Sequence, residues 1–234
     1  MLKKELRLQN PLRFMERENE DILPEGGLGV VIARAGVGKT AILVQLALNT
    51  LLKEKNVLHI SLNDPVKKVG LWYKEVFRHL TEQYEERKKN QVWESILPHR
   101  FIMTFRVEGF STSKLEERLT DLEEQNIFSP QMIFIDGVQI DDTPRTSLSD
   151  LKRLAEKRSL PVWLTIKTHR HEKLSANGMP APLLEVIDLF DLVIQLQPEG
   201  KEIHVKTLKG TGDDSEQPVL CLDPATMILK KTGA

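Results

Sequence analysis

The sequence predicts an α/β fold with a mostly parallel central sheet, flanked by helices and completed by antiparallel edge strands at its C-terminal end. Short apolar runs of strand length alternate with longer segments of helical period along most of the chain. A glycine-rich loop joins the first apolar run to a long apolar helix. The last segments are short and separated by turn residues, which is typical of a hairpin. Together these observations indicate a doubly wound sheet.

The composition fits one soluble α/β domain. The chain has 234 residues, and its 33 Lys and Arg nearly balance its 34 Asp and Glu, so no overall basic field indicates a dedicated DNA-binding module. Cys221 is the single cysteine, which excludes an intramolecular disulfide and suits a reducing compartment. No apolar run is long enough to span a bilayer. We therefore expect a cytoplasmic protein without a membrane partner.

Residues 33–40, ARAGVGKT, form a predicted phosphate-binding loop between the first strand and the first long helix. They fit the pattern G-x-x-x-x-G-K-[ST], except that alanine replaces the first glycine. Gly36 and Gly38 let backbone N–H groups turn toward a phosphate, and Lys39 adds a positive charge. The hydroxyl of Thr40 can ligate a magnesium ion that bridges the phosphates. The nucleotide-binding residues expected from this motif are Ala33, Arg34, Ala35, Gly36, Val37, Gly38, Lys39, Thr40 and Ala41.

The setting of this loop favours nucleotide binding over the alternative, a glycine-rich turn with a surface lysine. The motif lies between a predicted strand at 28–33 and a predicted helix at 40–52. The helix points its positive N-terminal end at the same phosphates. It is apolar nearly all round, so we expect it to be buried on more than one side.

Residues 1–26 form a predicted leader or subunit-contact segment, and residues 27–234 form the predicted nucleotide-binding domain. The leader mixes charged residues with scattered apolar ones and ends in a turn at 23–27. We expect it to pack over the nucleotide or against a neighbouring subunit. A frayed leader is the alternative.

The chain after the first helix alternates between predicted strands and helices. A strand at 57–62 leads into a helix whose apolar and aromatic residues recur at helical spacing, namely Val69, Trp72, Val76, Leu80 and Tyr84. We interpret this stripe as core rather than as a ligand platform. Residues 85–90, EERKKN, are interpreted as a solvated charge run.

The rest of the chain continues this alternation. We predict strands at 101–105, 132–136, 161–166 and 191–196, helices at 113–125, 148–158 and 183–190, and antiparallel edge strands at 202–206, 219–222 and 227–230. Residues 139–147 are a predicted polar loop. Residues 167–182 lack apolar periodicity, and we expect a long, mobile and locally basic loop there.

Asp136 ends the apolar run MIFID, as a buried parallel strand does when it brings one carboxylate to the carboxyl edge of the sheet. We assign Asp136 to the magnesium site together with Thr40. The alternative is an aspartate that ends a strand before the turn at Gly137. The phosphate loop upstream favours the magnesium role.

From Gly27 onward the chain resembles the RecA-like P-loop ATPases, most closely the branch of KaiC-like proteins and replicative DnaB helicases. The segments that carry the resemblance are ARAGVGKTAILVQLALN at 33–49, VLHISLND at 57–64, MIFIDGVQI at 132–140, PLLEVIDLFDLVIQL at 182–196 and IHVKTLKG at 203–210. The resemblance implies ATP or ADP as the ligand, Mg²⁺ as its companion and a homo-oligomer. The sequence also has no Asn-Lys-x-Asp signature for guanine, which favours ATP.

One departure from the family pattern concerns the general base. Asn63 stands at the position of the branch's water-activating glutamate, and an amide cannot take a proton from water. Asp64 beside it is the candidate for a substitute base. Gly137 follows Asp136, so the chain has no glutamate directly after that strand either. A general base contributes about 10²–10⁴ in rate.

A second departure concerns the cation that the family inserts into a neighbouring subunit's site. Lys206 matches the first of the family's two finger residues, but Leu208 stands at the second. Lys209 is the alternative cation. Such a cation contributes about 10³–10⁵ in rate, so the loss of both the base and the cation would leave binding without useful turnover.

Two hypotheses about function follow. The first is an ATP-binding protein with weak or absent hydrolysis, which acts as a nucleotide-dependent switch or assembly factor. The second is an oligomeric ATPase, DnaB-like or KaiC-like, which does work on DNA or on a partner protein. In that case Asp64 is the base, and Lys206 or Lys209 reaches into a neighbour's site.

Contact with single-stranded DNA is a third option. The predicted basic loop carries Lys167, His169, Arg170, His171 and Lys173. It lacks the aromatic residues that stack on bases, so a solvated loop is the alternative. Lys167 and His169 are also candidates for sensing the γ-phosphate, because they follow the strand beside Asp136.

Overall fold

The computed structural model describes residues 2–16, 21–105, 110–139, 145–168, 179–210 and 219–232. The helices in these ranges are α1 Leu2–Gln9, α2 Lys39–Leu52, α3 Val66–Leu80, α4 Glu86–Ile96, α5 Thr112–Glu124, α6 Arg145–Lys157 and α7 Ala181–Leu184. The strands are β1 Leu28–Ala33, β2 Val57–Ser61, β3 Arg100–Thr104, β4 Met132–Val138, β5 Val162–Lys167, β6 Leu192–Glu199, β7 Glu202–Lys209, β8 Leu220–Leu222 and β9 Leu229–Lys231. Short 3-10 helices lie at Pro11–Met15, Leu97–His99 and Ile187–Leu189.

The described strands form one sheet in the order β3-β2-β4-β5-β1-β6-β7-β8-β9. Strands β1 to β6 run parallel, and β7, β8 and β9 add to the edge in antiparallel fashion. This order confirms the predicted fold class, a P-loop NTPase type of α/β architecture with antiparallel edge strands. Since the six parallel strands point the same way, the carboxyl ends of β1, β2, β4 and β5 share one edge of the sheet.

The sheet is covered on both faces. Helices α1 to α4 bury their apolar residues against one face, and α5, α6 and α7 bury theirs against the other. Strand β1 shows the alternation that this requires: Val31 and Ala33 belong to the first core, and Val30 and Ile32 to the second.

Helix α2 is buried along its whole length after the first turn, as its apolar composition predicts. Its Gln45 is polar but fully bonded, because the side chain donates to the Met227 carbonyl oxygen and accepts from the Leu229 N–H, each at 2.9 Å. These two bonds attach the last strand of the sheet to the helix that follows the phosphate loop.

Several predicted elements differ from the structure. Residues 85–90 are a solvated charge run as predicted, since nearly all of them are exposed, but the sequence did not predict that residues 86–90 form the start of helix α4. Its apolar anchors Val92 and Ile96 lie beyond that run, where the charge pattern gave no signal. In α3 the buried aromatic residues are Tyr73 and Phe77, whereas Trp72 is half-buried and Tyr84 lies beyond the helix end.

The helix expected at 183–190 is wrong in its length. The chain forms the short α7 and then the 3-10 helix Ile187–Leu189, because Val186 leaves helical backbone geometry with φ −128° and ψ 4°. The side chain of Arg145 donates to the Glu185 carbonyl oxygen and pairs with Asp188. These contacts stabilise the irregular turn, where regular helical hydrogen bonding is interrupted.

The N-terminal segment packs on the back of α2. Leu6 and Leu12 are buried, and the Asn10 amide donates to Asn49 of α2 at 3.3 Å. Glu16 pairs with Lys53 at 2.6 Å. The contact of this N-terminal segment with a nucleotide or a neighbouring subunit stays a prediction, as does the division of the chain after residue 26.

None of the helices in the described ranges has the length and apolar character needed to cross a membrane.

Candidate functional site

The phosphate loop turns tightly between β1 and α2. Gly36 and Gly38 have φ values of 78° and 105°, which a residue with a side chain rarely adopts. At Gly38 a Cβ atom would also lie 2.5 Å from the Leu222 side chain, so packing against β8 independently requires glycine. Backbone of this kind directs successive N–H groups inward, and Gly38 caps the N-terminus of α2.

Lys39 folds its ammonium group back into the loop. Its Nζ donates to the carbonyl oxygens of Ala33 and Arg34, each at 2.9 Å. Burial lowers the pKa of Lys39 to about 8, Asp136 opposes this shift, and Lys167 adds to it. A bound phosphate group would place a negative charge beside the Lys39 ammonium group and so stabilise its charged form.

A network of hydroxyl and carboxylate groups lies next to the loop. Thr40 Oγ1 donates to Asp136 Oδ2 at 2.7 Å, so the two predicted magnesium residues lie together. Thr165 on β5 donates to the other oxygen of Asp136, and its hydroxyl accepts from the Gly137 N–H at 2.8 Å. Thr165 is buried and was not found from the sequence; its one signal is a lone hydroxyl in the apolar run VWLTI.

This donor set fits magnesium bound together with nucleotide phosphates. Thr40 and Asp136 offer only oxygen atoms, the ligands that Mg²⁺ prefers. No group of three or more His, Cys, Asp or Glu side chains in the described ranges could hold a metal ion without other ligands. An ion with one or two protein oxygens needs phosphates or water for the rest of its shell. The magnesium role of both residues stays a prediction.

Asn63 and Gly137, the two positions without a glutamate, pack against each other. Gly137 has φ 101°, and a Cβ atom there would lie 2.1 Å from Asn63 Nδ2. The Asn63 amide donates to the Gly137 carbonyl oxygen at 3.4 Å. The end of the exposed Asn63 side chain lies where a Cβ atom at 137 would be, so it would have to turn aside for a side chain there.

Asp64, the candidate substitute base, lies at the start of α3. Its N–H donates to Ser61 Oγ at 2.9 Å, and its carboxylate accepts from Lys68 Nζ at 2.9 Å. The Asp64 side chain is 26% exposed and that of Lys68 is 58% exposed. Asp64 would have to leave this ion pair to accept a proton from water.

The candidate finger cations lie on β7 and contact their own chain. Lys206 pairs with Glu199 at 2.7 Å, and Lys209 donates to the Ile187 carbonyl oxygen at 2.9 Å. Leu208 packs against the second core, which explains an apolar residue at this position. Whether either lysine reaches a neighbouring subunit stays a prediction.

Of the basic loop predicted at 167–182, the structure describes residues 167–168 and 179–182, and the last two of these already belong to helix α7. Lys167 ends β5 opposite Ala33 of the phosphate loop and is exposed. His169, Arg170, His171 and Lys173 lie outside the described residues. The proposed roles of this loop in DNA contact and γ-phosphate sensing stay predictions.

A buried histidine, His59, lies on β2. Its Nδ1 is 3.0 Å from the Tyr73 hydroxyl, and its buried Nε2 has no hydrogen-bond partner among the residues that the structure describes. Burial, together with the positive charge of Arg100, lowers the pKa of His59 to about 3. The Arg100 guanidinium stacks over the Tyr73 ring at 4.6 Å. His59 is therefore neutral in the folded protein at physiological pH.

Comparison with known proteins agrees with the nucleotide site. A family model described as an AAA domain matches residues 24–174, which include the phosphate loop, Asp136 and Thr165. A search of curated proteins gives no significant match. Since the family model covers more than half of the chain, this protein belongs to the AAA domain family of P-loop NTPases.

Proposed function

We propose that this chain is a RecA-like, KaiC-like ATP-binding protein that hydrolyses ATP slowly or not at all, and that it works as a nucleotide-dependent switch or assembly factor. The observation that carries the proposal is the contact between Asn63 and Gly137. It puts an amide and a glycine at both positions where a P-loop ATPase of this type could place a glutamate.

The binding half of the proposal rests on the phosphate loop. Lys39, which now donates to two loop carbonyl oxygens, would hold the phosphates of ATP and supply a positive charge to them. Thr40 and Asp136 would hold Mg²⁺, which neutralises phosphate charge when bound. ATP is preferred over GTP because the chain lacks the guanine signature.

The proposal of slow hydrolysis rests on the two groups that would promote attack by water, a general base and a cation from a neighbouring subunit. The Asn63 amide cannot accept a proton, and Gly137 on the neighbouring strand β4 carries no carboxylate. A missing general base costs about 10²–10⁴ in rate. Lys206 and Lys209 are bound to acceptors of their own chain, and a missing cation costs about 10³–10⁵.

A switch needs contacts that differ between the ligand-bound and free states. Two contacts of the free site change when ATP and Mg²⁺ bind: those of Lys39 with the loop and that of Thr40 with Asp136. Asp136 is bonded through Thr165 to the backbone of Gly137, which touches Asn63. Nucleotide binding therefore has a direct structural route to the carboxyl end of β2.

The second candidate is an oligomeric ATPase that does work on DNA or on a partner protein. The observation that favours it is the exposure of the Asp64–Lys68 pair. An exposed ion pair contributes about 0–1 kcal/mol, so Asp64 becomes available as a base at little cost. This candidate also requires an oligomer in which Lys206 or Lys209 enters a neighbour's site.

Steady-state turnover of Mg-ATP by the full chain separates the two candidates. The switch predicts slow turnover at most, with no change on Asp64→Asn. The working ATPase predicts turnover that both Lys39→Ala and Asp64→Asn abolish. Lys74→Ala is the matched control, because Lys74 is an exposed lysine on α3 away from the loop. Turnover that Lys39→Ala and Asp64→Asn both abolish and Lys74→Ala leaves unchanged would overturn the proposal of slow hydrolysis.

A further inference from the structure

A groove of about 650 Å³ lies at the far end of α2 from the phosphate loop. It is bounded by α1, the 3-10 helix Pro11–Met15, the C-terminal ends of α2 and α3, and strand β9. Leu52, the last residue of α2, lines it. The 14 residues of α2 rise about 1.5 Å each, so the groove lies about 20 Å from the phosphate loop. It is a different site from the nucleotide site.

The floor of this groove is apolar. Leu6, Leu52, Phe77 and Leu229 line it and belong to the buried core. Leu8 also lines it, yet its side chain is 55% exposed. An exposed leucine next to an apolar floor leaves apolar surface in contact with water, and covering such surface is favourable.

The rim of the groove is basic. The Arg13 guanidinium lies 4.8 Å from the centre of the Phe14 ring, and Lys231 Nζ lies 4.1 Å from the same centre. Within the described ranges neither cation has a carboxylate partner, so two positive charges share one ring without a counter-charge. The other polar rim residues have partners: Lys230 pairs with Asp223, and the His79 ring lies 3.1 Å from Glu75. No Asp or Glu lines the groove in the described part of the chain.

Two further features favour an extended ligand. A neighbouring groove of about 460 Å³ shares Leu8, Arg13 and Leu52 with the first. Lys4 and Arg7 line it as well, and so do Glu16 and Glu54, whose carboxylates already pair with Lys53 and Lys3. The combined surface suits a segment of several residues. Strand β9 lines the first groove and is the last strand of the sheet in the described ranges; its Leu229 N–H already donates to Gln45, so an extended chain could pair only with the rest of this short edge.

We propose that this groove, lined by Leu8, Phe14, Arg13 and Lys231, binds a short acidic segment of a partner protein. Apolar side chains of that segment fill the floor, and its carboxylates meet Arg13 and Lys231. A membrane surface fits less well, because the groove is concave and its apolar floor lies below the basic rim. The partner's acidic charge also sets the rate of encounter, so binding weakens as ionic strength rises.

The test uses peptides selected on the immobilised full chain from a random library of 12-residue sequences. We expect the selected peptides to combine at least two Asp or Glu residues with apolar ones. In anisotropy titrations of the labelled peptides, the double variant Arg13→Glu, Lys231→Glu weakens binding about tenfold or more. The matched control is Lys67→Glu, Lys74→Glu, which makes the same charge change on exposed positions of α3 and changes the dissociation constant less than about twofold.

Leu8→Glu provides a second variant that leaves the buried floor unchanged. It adds a negative charge at the rim, and we expect it to weaken peptide binding while thermal unfolding of the protein stays the same. Selected peptides that are neutral or basic, a failure to select any peptide, or acidic peptides unaffected by these variants would each overturn the proposal. So would a concentration-dependent dimer in sedimentation that Leu8→Glu abolishes, which would make a second copy the occupant. Binding to phosphatidylserine vesicles that exceeds peptide binding would assign the groove to lipid instead.

Discussion

The two sides of the candidate nucleotide site are built very differently. On the phosphate side, Lys39, Thr40 and Asp136 are polar groups already bonded to the loop or to each other. On the other side, which we call the water side, the Asn63 amide packs against Gly137, and the candidate base Asp64 is held in an ion pair with Lys68. The first side therefore carries the groups expected to hold Mg-ATP, whereas on the second, within the described residues, neither Asn63 nor Gly137 supplies the expected glutamate.

This difference teaches that binding and hydrolysis rest on separate elements here. The phosphate side comes from β1, α2 and β4, and the water side from the end of β2 and the residue after Asp136. The two sides meet through the hydrogen bonds of Thr165. A change at Asn63 can therefore alter catalysis while the phosphate contacts stay intact, whereas a change at Lys39 should weaken nucleotide binding and with it any turnover.

The largest expected effect is a loss of stability, and it comes from adding a side chain at Gly137. Gly137→Ala places a side chain at a φ of 101°, so we expect backbone strain to destabilise the fold by about 3 kcal/mol in urea unfolding. In an Asn63→Gly background the contact of the new Cβ atom with the Asn63 amide is gone and the backbone strain remains. The cost of Gly137→Ala should then fall by no more than about 1 kcal/mol, because the exposed Asn63 side chain can also turn aside. Equal costs in both backgrounds would show that the contact between the two residues contributes nothing to stability.

The next effect breaks the phosphate side. Lys39→Ala removes the positive charge that the loop holds for the phosphates, so ATP affinity should fall about 100-fold, measured by calorimetric titration with Mg-ATP. The control Lys74→Ala should bind as tightly as the unmodified chain. Unchanged affinity in Lys39→Ala would mean that nucleotide binds elsewhere.

Acid should destabilise the fold through His59, a buried residue of β2. Burial lowers the pKa of His59 from 6.5 to about 3. Below pH 6.5 the unfolded chain therefore binds a proton at this histidine that the folded protein does not bind. Between pH 7 and pH 5 this histidine alone should lower the free energy of unfolding by about 2 kcal/mol. His59→Phe should lose that part of the pH dependence, and Tyr73→Phe should keep it. An identical pH dependence in His59→Phe and the unmodified protein would contradict a neutral, buried His59.

A rise in pH should weaken ATP binding through Lys39, and this effect should be smaller. Burial lowers the pKa of Lys39 to about 8, and bound phosphates raise it again. Above pH 8 the free protein has lost this proton and must regain it to bind, so ATP affinity should fall about tenfold between pH 7 and pH 9. Lys39→Arg, which stays charged, should bind with little pH dependence over this range. A pH response of Lys39→Arg equal to that of the unmodified protein would assign the titration to another group.

The features that could be predicted from the sequence are those encoded locally. Strand β1 and the phosphate loop lie within one short segment, and the proximity of Thr40 and Asp136 follows from parallel strands that end at one edge. Thr165 and the contact of Asn63 with Gly137 required knowledge of which strands are neighbours, since β2 and β5 both pair with β4. Helix α4 was missed for a related reason: its charged first turn hid anchors that only the folded core identifies.

The most direct test of slow hydrolysis is the identity of the bound nucleotide over time. The full chain is mixed with Mg²⁺ and ATP labelled at the α-phosphate, and the nucleotide retained on the protein is separated and identified at intervals. We expect retained ATP, with little ADP after many minutes, and no retained nucleotide in Lys39→Ala. Prompt conversion to ADP with repeated release, abolished in Lys39→Ala, would contradict the account and make Asp64 the first residue to replace.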